Sequence, residues 1–300
     1  MNEEESLPQL LDEIAAVFDV HAPQSWEVLI IDDGSRDKTW EVIENLKKKF
    51  SNLRAWRFQY NCGKATALNL GFQQARGELV ATLDGDLQDD PKEIPEMEQI
   101  LEKGFDLVSG WKKKRHDPIH KTAPSKFFNF VVSIVAGQRL HDFNCGLKLY
   151  KSSVIKHLNL YGDYHRFIPV MASWRGFQIT EKVVQHRARQ FGVSKYGWSR
   201  LISGFLDLVS LLFLQFFSKK PLHLFGTLGL LSFGLGFVIM LWFAFTWLQT
   251  GALHVRPLMV IGTTALVTGL QLLMMGLIGE MVLNRTSSEA PPVAEELGNE

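Results

Sequence analysis

The chain has 300 residues, an apolar fraction of 46%, and 32 basic against 32 acidic side chains, for a formal net charge of +0. Balanced charge leaves no global field to attract nucleic acid, so nucleic acid is not an expected partner. The two cysteines, Cys62 and Cys145, form neither a close pair nor a metal-ligand spacing, which excludes a disulfide scaffold and favours a reducing, cytosolic setting.

Helix and strand patterns alternate along the first part of the chain. Apolar residues recur at helical spacing from Leu7 to Val17, and the short β-branched run at 26–31 predicts a buried strand. Further helices are predicted near 40–46 and 65–75, and further strands near 53–58, 79–83 and 106–110. This alternation predicts an α/β domain with a largely parallel sheet, whose ligands gather at the carboxyl ends of the strands.

Acidic clusters follow two of these predicted strands. Asp32 and Asp33 come directly after the first strand, and Asp84 and Asp86 follow the strand at 79–83. Side chains two residues apart in extended backbone point to the same side, so Asp84 and Asp86 can face one ligand. Paired carboxylates suit Mg²⁺ or Mn²⁺ held together with diphosphate oxygens. Asp-x-Asp alone is a short pattern that also occurs in exposed acidic turns.

The C-terminal part differs in composition. Residues 222–248 and 258–284 are each long and apolar enough to cross a bilayer as helices, and they predict a two-helix transmembrane hairpin within 221–285. Lysines precede the first span and an arginine follows the second, so the positive-inside rule places both termini in the cytosol, as for a protein of the cell inner membrane or its equivalent. Two buried helices of a soluble core are the alternative.

Two flanking segments complete the organisation. Residues 198–220 predict an amphipathic helix lying in the membrane interface, because a narrow polar stripe runs along an otherwise apolar segment. The acidic, proline-containing tail at 286–300 predicts disorder. Met1 leads into an acidic run, so no signal peptide is expected and insertion would depend on the hairpin.

Several ordered motifs carry a resemblance to a known family. They are Asp84-Gly85-Asp86-Leu87-Gln88-Asp89-Asp90-Pro91, Asp32-Asp33-Gly34-Ser35 and Asn61-Cys62-Gly63-Lys64-Ala65-Thr66-Ala67-Leu68-Asn69. The chain resembles the inverting family 2 glycosyltransferases from Asn2 to about Leu222. It is most similar to their polyprenyl-phosphate branch, which includes dolichyl-phosphate mannose synthases and bacterial polyprenyl-phosphate glucosyltransferases. The resemblance implies a Rossmann-like GT-A domain at 1–197 that binds a nucleotide-sugar.

The resemblance also assigns the donor side of the site. It implies that Asp33 contacts the base or ribose and that Glu3, Lys64 and Asp84 belong to the nucleotide-sugar pocket. It makes Asp86 the direct ligand of Mg²⁺ or Mn²⁺, with Asp84 helping to organise the metal.

Gln88 would lie near the metal and phosphates, which completes an implied catalytic set of Asp84, Asp86 and Gln88. A solvated helix start is the alternative role for Lys64.

The acceptor side rests on basic residues by motif position. The resemblance implies that a polyprenyl phosphate is bound by Arg115, Lys126, Arg189, Ser194 and Lys195. Guanidinium and ammonium groups make charge-assisted bonds to phosphate oxygens. General attraction of these cations to anionic headgroups is the alternative.

The implied reaction is transfer of a hexose from a donor of the UDP-glucose or GDP-mannose type to polyprenyl phosphate, with inversion. A phosphate monoester is mostly deprotonated at neutral pH, so no strong general base is required. The enzyme must then align the acceptor oxygen and stabilise the leaving nucleoside diphosphate. A homo-oligomer is left open.

One departure from the family keeps alternatives open. Relatives begin with a further strand that ends in a Pro-x-x-Asn-Glu type segment, whereas this chain begins at Met1-Asn2-Glu3. An inactive membrane scaffold with a shortened fold is therefore one alternative, and transfer of another sugar to another lipid is a second. A processive polysaccharide synthase would carry a Gln-x-x-Arg-Trp segment and more spans, and neither is seen.

Overall fold

A computed structural model describes residues 1–23, 25–113, 132–133, 137, 140–160, 162–187, 206–213, 217, 220–251 and 256–286. The chain divides into two compact units, Met1–Leu208 and Val209–Glu300. The acceptor residues predicted at positions 115, 126, 189, 194 and 195 and the tail at 287–300 lie outside the described residues. Of the predicted interfacial helix, residues 206–213 are described, and they are helical.

Helices and strands alternate in the first unit, as the sequence predicts. The strands are β1 (Val28–Asp32), β2 (Leu53–Arg57), β3 (Leu79–Thr82), β4 (Leu107–Trp111), β5 (Lys148–Lys151) and β6 (Ile179–Val183). The helices are α1 (Leu7–His21), α2 (Thr39–Lys49), α3 (Lys64–Gln74), α4 (Ile94–Leu101), α5 (Ser152–Lys156) and α6 (Ile168–Trp174). Two 3-10 turns, Pro91–Glu93 and Tyr164–Phe167, precede α4 and α6.

The sheets depart from the predicted, largely parallel arrangement. β1 and β2 form a parallel pair, whereas the other four strands form a mixed sheet in the order β3-β5-β4-β6. β5 lies between β3 and β4 and runs antiparallel to both, with Lys148 opposite Thr82 and Ser109. β5 was not predicted from the sequence, and it is the strand that makes this sheet mixed. Because β5 runs backwards, its first residue, Lys148, lies at the carboxyl ends of its neighbours, where ligands gather.

Helix α1 covers both sheets. Leu7 and Leu11 share a core cluster with Val28 and Ile30 of β1, and Phe18, near the end of the helix, packs with the cluster of the larger sheet. Within the described residues, β1 pairs only with β2 and β3 only with β5. Among the described residues, β1 and β3 therefore each have one edge that pairs with no other strand.

The second unit contains two long helices, α7 (Pro221–Thr250) and α8 (Pro257–Thr286). Both are apolar and long enough to cross a membrane, and most of their side chains are exposed, unlike those of a core helix in a soluble protein. They pack against each other through glycines. A Cβ on Gly269 would lie 2.5 Å from the backbone nitrogen of Phe233, and one on Gly236 would lie 2.6 Å from the carbonyl oxygen of Gly262. Such close approach of backbones is typical of membrane helix pairs.

Candidate functional site

The loop after β1 is tied to the loop after β2 by Asp33. Its carboxylate accepts hydrogen bonds from the backbone nitrogens of Cys62 at 2.6 Å and Gly63 at 3.1 Å, and from Asn61 Nδ2 at 3.0 Å. Gly34 has a φ of +70°, and a Cβ there would lie 2.6 Å from the carbonyl carbon of Tyr60. Glycine is required at this turn because both the backbone angle and the space exclude a side chain. Asp33 thus lies at the carboxyl edge, as predicted.

Lys64 and Asp84 form an ion pair where α3 begins and β3 has just ended. The Asp84 carboxylate is 38% exposed. Partial removal from water would by itself raise the pKa of Asp84. The positive charge of Lys64, with smaller contributions from Lys112 and Lys148, lowers this pKa to about 2. Asp84 is therefore ionised at any physiological pH. The contact also argues against Lys64 being only a solvated helix start.

Asp86 is held by a strained turn. Leu87 has a φ of +60°, unusual for a leucine, and its side chain is buried beside Leu10 and Ile14 of α1. The backbone nitrogen of Gln88 donates to Asp86 Oδ1 at 3.2 Å. Backbone strain of this kind persists only where packing enforces it, and it is concentrated at functional sites. The buried Leu87 thus anchors the segment that presents Asp86 and Gln88.

Asp89, a further carboxylate of the segment Asp84–Pro91, is fully buried. Lys112 Nζ lies 2.8 Å from Asp89 Oδ1, and both side chains are largely buried. Although burial opposes the charged form, the Asp89 carboxylate raises the pKa of Lys112. A Cβ on Gly146 would lie 2.6 Å from Asp84 Oδ2 and 2.9 Å from Asp89 Oδ2. Only glycine at position 146 lets the segment before β5 pass between these two carboxylates.

Lys148 was not predicted to belong to the site. It is 4% exposed, and its ammonium donates to the carbonyl oxygen of Cys145. Burial lowers the pKa of Lys148 and raises the pKa of the Cys145 thiol to about 12, so this thiol stays protonated. The sequence gives no signal for this position, because the short strand that begins at Lys148 was not predicted.

A small cavity lies beneath the motif. It has a volume of about 20 Å³, enough for about one water molecule, and Lys64, Asp84, Asn144, Lys148 and His165 are among its lining residues. His165 Nδ1 is buried and has no hydrogen-bond partner in the described parts of the chain. Burial, with Lys64 and Arg166 nearby, lowers the pKa of His165 to about 3, so the imidazole is neutral.

The segment that follows β6 is clamped to the acidic motif. The backbone nitrogen of Arg187 donates to the carbonyl oxygen of Gln88 at 3.0 Å, and its guanidinium lies 2.7 Å from Asp90 and 2.7 Å from Glu13 of α1. His186 forms an isolated β-bridge with Asp89. Arg187 therefore joins α1, the acidic motif and the chain that leads towards the predicted acceptor residues.

Two further polar residues have clear contacts: Glu3, from the predicted nucleotide-sugar pocket, and the buried Asp142. Glu3 lies beside the acidic motif, since a Cβ on Gly85 would meet Glu3 Cγ at 3.5 Å, and its backbone nitrogen donates to Thr39 Oγ1 at 2.9 Å. Asp142 is buried and accepts from the backbone nitrogen of Asn144 at 3.0 Å. Glu3, Asp33, Lys64, Asp84, Asp86 and Gln88 all lie in the loops and helix starts that follow β1, β2 and β3 or precede α1.

The donor set fits a divalent cation shared with a ligand. No three Asp, Glu, His or Cys side chains converge on a metal site within the described ranges, so these residues do not build an all-protein cage. Mg²⁺ is usually held by one or two carboxylates plus substrate phosphates. Asp84, which is ionised and partly exposed, and Asp86 two residues on suit that mode.

Comparison with known proteins agrees with this geometry. The sequence profile described as Glycosyl transferase family 2 matches residues 1–158. The chain is 39% identical over 290 residues to the dodecaprenyl-phosphate galacturonate synthase of Rhizobium johnstonii, covering 94% of this chain and 85% of that protein. It is 32% identical over 289 residues to the undecaprenyl-phosphate 4-deoxy-4-formamido-L-arabinose transferase of Photorhabdus laumondii, covering 94% and 86%.

Solved structures share the fold at lower identity. Glucosyl-3-phosphoglycerate synthase from Mycobacterium tuberculosis, in complex with Mg²⁺ and uridine diphosphate, superposes with a TM-score of 0.55 at 17% identity, covering 72% of this chain and 76% of that one. The same enzyme with Mn²⁺ and uridine-diphosphate-glucose gives a TM-score of 0.52 at 17% identity, with 72% and 76% covered. The predicted GT-A fold is thereby confirmed, and the chain belongs to glycosyl transferase family 2.

Proposed function

We propose that this protein transfers a sugar from a nucleotide-sugar to a polyprenyl phosphate at the cytosolic face of a membrane, with inversion at the anomeric carbon. The observation that carries the proposal is the joining of Asp33, Lys64 and Asp84 at one sheet edge, beside the strained turn that holds Asp86. The names of the two relatives, both transferring sugars to polyprenyl phosphates, support the acceptor class.

On the donor side, Asp84 and Asp86 would hold Mg²⁺ or Mn²⁺ together with the diphosphate. The bound cation would neutralise the negative charge that develops on the leaving nucleoside diphosphate. Lys64 would add a second positive charge at the same place, and Asp33 would contact the base or ribose of the nucleotide. Gln88, two residues beyond Asp86, would lie near the metal and the phosphates.

On the acceptor side, the proposal assigns phosphate binding to Arg115, Lys126, Arg189, Ser194 and Lys195. A lipid phosphate monoester has a second pKa near 6, so its oxygen is already a nucleophile at neutral pH. What the protein must supply is alignment of that oxygen behind the anomeric carbon. The clamp at Arg187 supports this role, since it joins the acidic motif to the segment two residues before Arg189.

The membrane side of the proposal rests on α7 and α8. They form a hairpin in the bilayer with both chain ends in the cytosol, because basic residues flank the ends of the hairpin and a single arginine lies in the connection. An interfacial helix at 198–220 would hold the mouth of the site at headgroup level. This geometry suits a soluble donor and an acceptor confined to the membrane surface.

The test is transfer of labelled sugar by the purified full chain in detergent to a polyprenyl phosphate. The donors are UDP-glucose, GDP-mannose and UDP-galacturonate, each with Mg²⁺, Mn²⁺ or chelator. We expect metal-dependent glycolipid from at least one donor and a loss of at least about 100-fold in Asp86→Asn. Asp106→Asn is the control, because Asp106 is a partly buried carboxylate that pairs with Lys151 and precedes β4, at the end of the strand opposite the site.

Activity that persists with chelator and in Asp86→Asn would show that Asp86 does not hold a metal ion required for transfer. Absence of transfer with all three donors would favour a scaffold or a different donor.

A further inference from the structure

We propose that His165 is a sugar-binding residue of this site, which uses its neutral imidazole to hydrogen-bond a hydroxyl of the sugar being transferred. The inference rests on the proposed function and deepens it, because it assigns recognition of the sugar to a residue outside the nucleotide motifs. Three observations carry it: the position of the ring, its unsatisfied nitrogen and the rigidity of its frame.

The ring lies next to the proposed donor site. His165 lines the same cavity as Asp84 and Lys64, at the carboxyl edge of the sheet. In open α/β sheets ligands bind at that edge, and the proposed function puts the donor phosphates at Asp84 and Asp86. A side chain that borders Asp84 from the turn before α6 is therefore close enough to contact a donor held there.

The ring also has an unused hydrogen-bonding atom. Nδ1 is buried without a partner among the described residues, and a buried polar atom of this kind costs about 1–3 kcal/mol of stability. Buried unsatisfied polar groups are few in native proteins and mark binding sites or sites for water. A neutral imidazole has one donor and one acceptor nitrogen, which matches a hydroxyl group that can both give and accept a hydrogen bond.

The charges nearby favour a sugar over a phosphate as the partner. Lys64, Lys148 and Arg166 oppose a positive charge on His165. A phosphate would bind these three cations in preference to the neutral ring. The uncharged ring is left to recognise an uncharged group. Hydroxyls of a hexose or pentose are the groups of that chemistry on a nucleotide-sugar.

The frame around His165 is fixed. It belongs to the 3-10 turn Tyr164–Phe167, whose Tyr164 and Phe167 are buried, and Ile168 at the start of α6 is 1% exposed. Arg166 Nη2 pairs with Asp163 at 3.0 Å across the turn. A ring held by buried neighbours on both sides is positioned without a cost in side-chain entropy when ligand binds.

The experiment measures how much the sugar adds to donor binding, by titrating the full chain in detergent with each nucleotide-sugar and with its nucleoside diphosphate. In His165→Phe we expect nucleoside diphosphate affinity within about 2-fold of wild type, and nucleotide-sugar affinity and kcat/KM reduced about 10- to 100-fold. Asn reproduces the place of Nδ1 and Gln the place of Nε2, so one of His165→Asn and His165→Gln should recover most of the loss.

His157→Asn is the matched control, because His157 is exposed and its Nδ1 already bonds the carbonyl oxygen of Ser153 at 2.8 Å. Unchanged sugar affinity in His165→Phe would overturn the inference, as would an equal loss of nucleoside diphosphate binding or failure of both polar variants to recover. The titration measures donor binding and does not require sugar transfer. Sugar affinity that depends on His165 in a protein without transferase activity would keep this inference and reject the proposed function.

Discussion

The contacts that stabilise the interior of each unit are of two different kinds. In the first unit, opposite charges are paired: Asp89 with Lys112 in the interior, Asp84 with Lys64 at a partly exposed edge, and Arg187 between two carboxylates. In the second unit, α7 and α8 meet through glycine backbones, with no charge at the contact between Gly229 and Gly269. The contacts described for the first unit therefore depend on the charge of a side chain, and the helix contact in the second unit depends on side-chain volume. Each variant below changes one of these properties.

The largest effect on stability is expected from added volume in the hairpin. In Gly269→Leu the new side chain would begin 2.5 Å from the nitrogen of Phe233 and 2.7 Å from the carbonyl oxygen of Gly229. Because backbone cannot yield cheaply, α7 and α8 must separate, at a cost of about 3 kcal/mol or more. Thermal unfolding of the full chain in detergent measures the loss. Gly234→Leu is the control, since nothing lies within 4 Å of a Cβ there; equal losses would contradict packing through Gly269.

Next in size is the loss of a clamping charge in the first unit. Arg187→Met keeps most of the side-chain volume but removes both ion pairs, so the acidic motif loses its tie to α1. We expect Mn²⁺ and donor affinity to fall about 10-fold, with about 1–2 kcal/mol of stability lost. Isothermal titration and thermal unfolding report the two quantities separately.

Arg54→Met is the matched control for Arg187. Arg54 is similarly buried and bonds Glu27 and the carbonyl oxygen of Gln74, each at 3.0 Å, on the outer side of β2. It should lose comparable stability while keeping Mn²⁺ affinity. If both variants lose Mn²⁺ affinity equally, Arg187 acts through general stability and not through the motif.

A smaller effect, which should disappear in acid, is expected at Lys64. The pKa of Asp84 is about 2 in the folded protein, below its ordinary value of 3.8, so its stabilisation is full above pH 4 and is lost as pH falls through about 2. In Lys64→Met the pKa of Asp84 should rise, and the difference in unfolding free energy between the two proteins should narrow as the pH falls from 4 to 2. Urea unfolding between pH 2 and 7 tests this, with the exposed Lys92→Met as control. A constant difference would refute the pairing.

The smallest effect is expected where a charge pair is neither buried nor at the site. Lys49 and Asp12 pair with side chains that are 58% and 56% exposed. Solvent screening leaves such a pair worth about 0.5 kcal/mol or less, so Lys49→Gln should leave thermal unfolding and donor affinity almost unchanged. A loss above about 1 kcal/mol would mean that the first unit depends on surface charges as well as enclosed ones.

Local patterns were enough to predict most elements of the first unit. The β-branched run before Asp32 became β1, and the helical spacing from Leu7 became α1, because burial of one apolar face decides both. The two C-terminal spans were predictable for a different reason, since each is apolar on all sides over a length that can cross a bilayer. β5 was missed, since Lys148-Leu149-Tyr150-Lys151 is short and begins and ends with lysine.

The candidate site divides in the same way. Asp33, Lys64, Asp84 and Asp86 could be predicted, because each lies within a motif that can be recognised along the chain. His165 and Arg187 could not be assigned their contacts, since the partners that give them a role lie far away in sequence. Arg187, for example, meets residues at positions 13 and 90.

The alternation of strands and helices, the acidic motifs and the apolar hairpin can all be predicted from residues that are near neighbours along the chain. The reversed direction of β5, which brings Lys148 to the site, and the passage of Gly146 between Asp84 and Asp89 depend instead on contacts between distant residues. Strand direction and long-range contacts are fixed by how the sheet packs as a whole, and no local pattern specifies that packing.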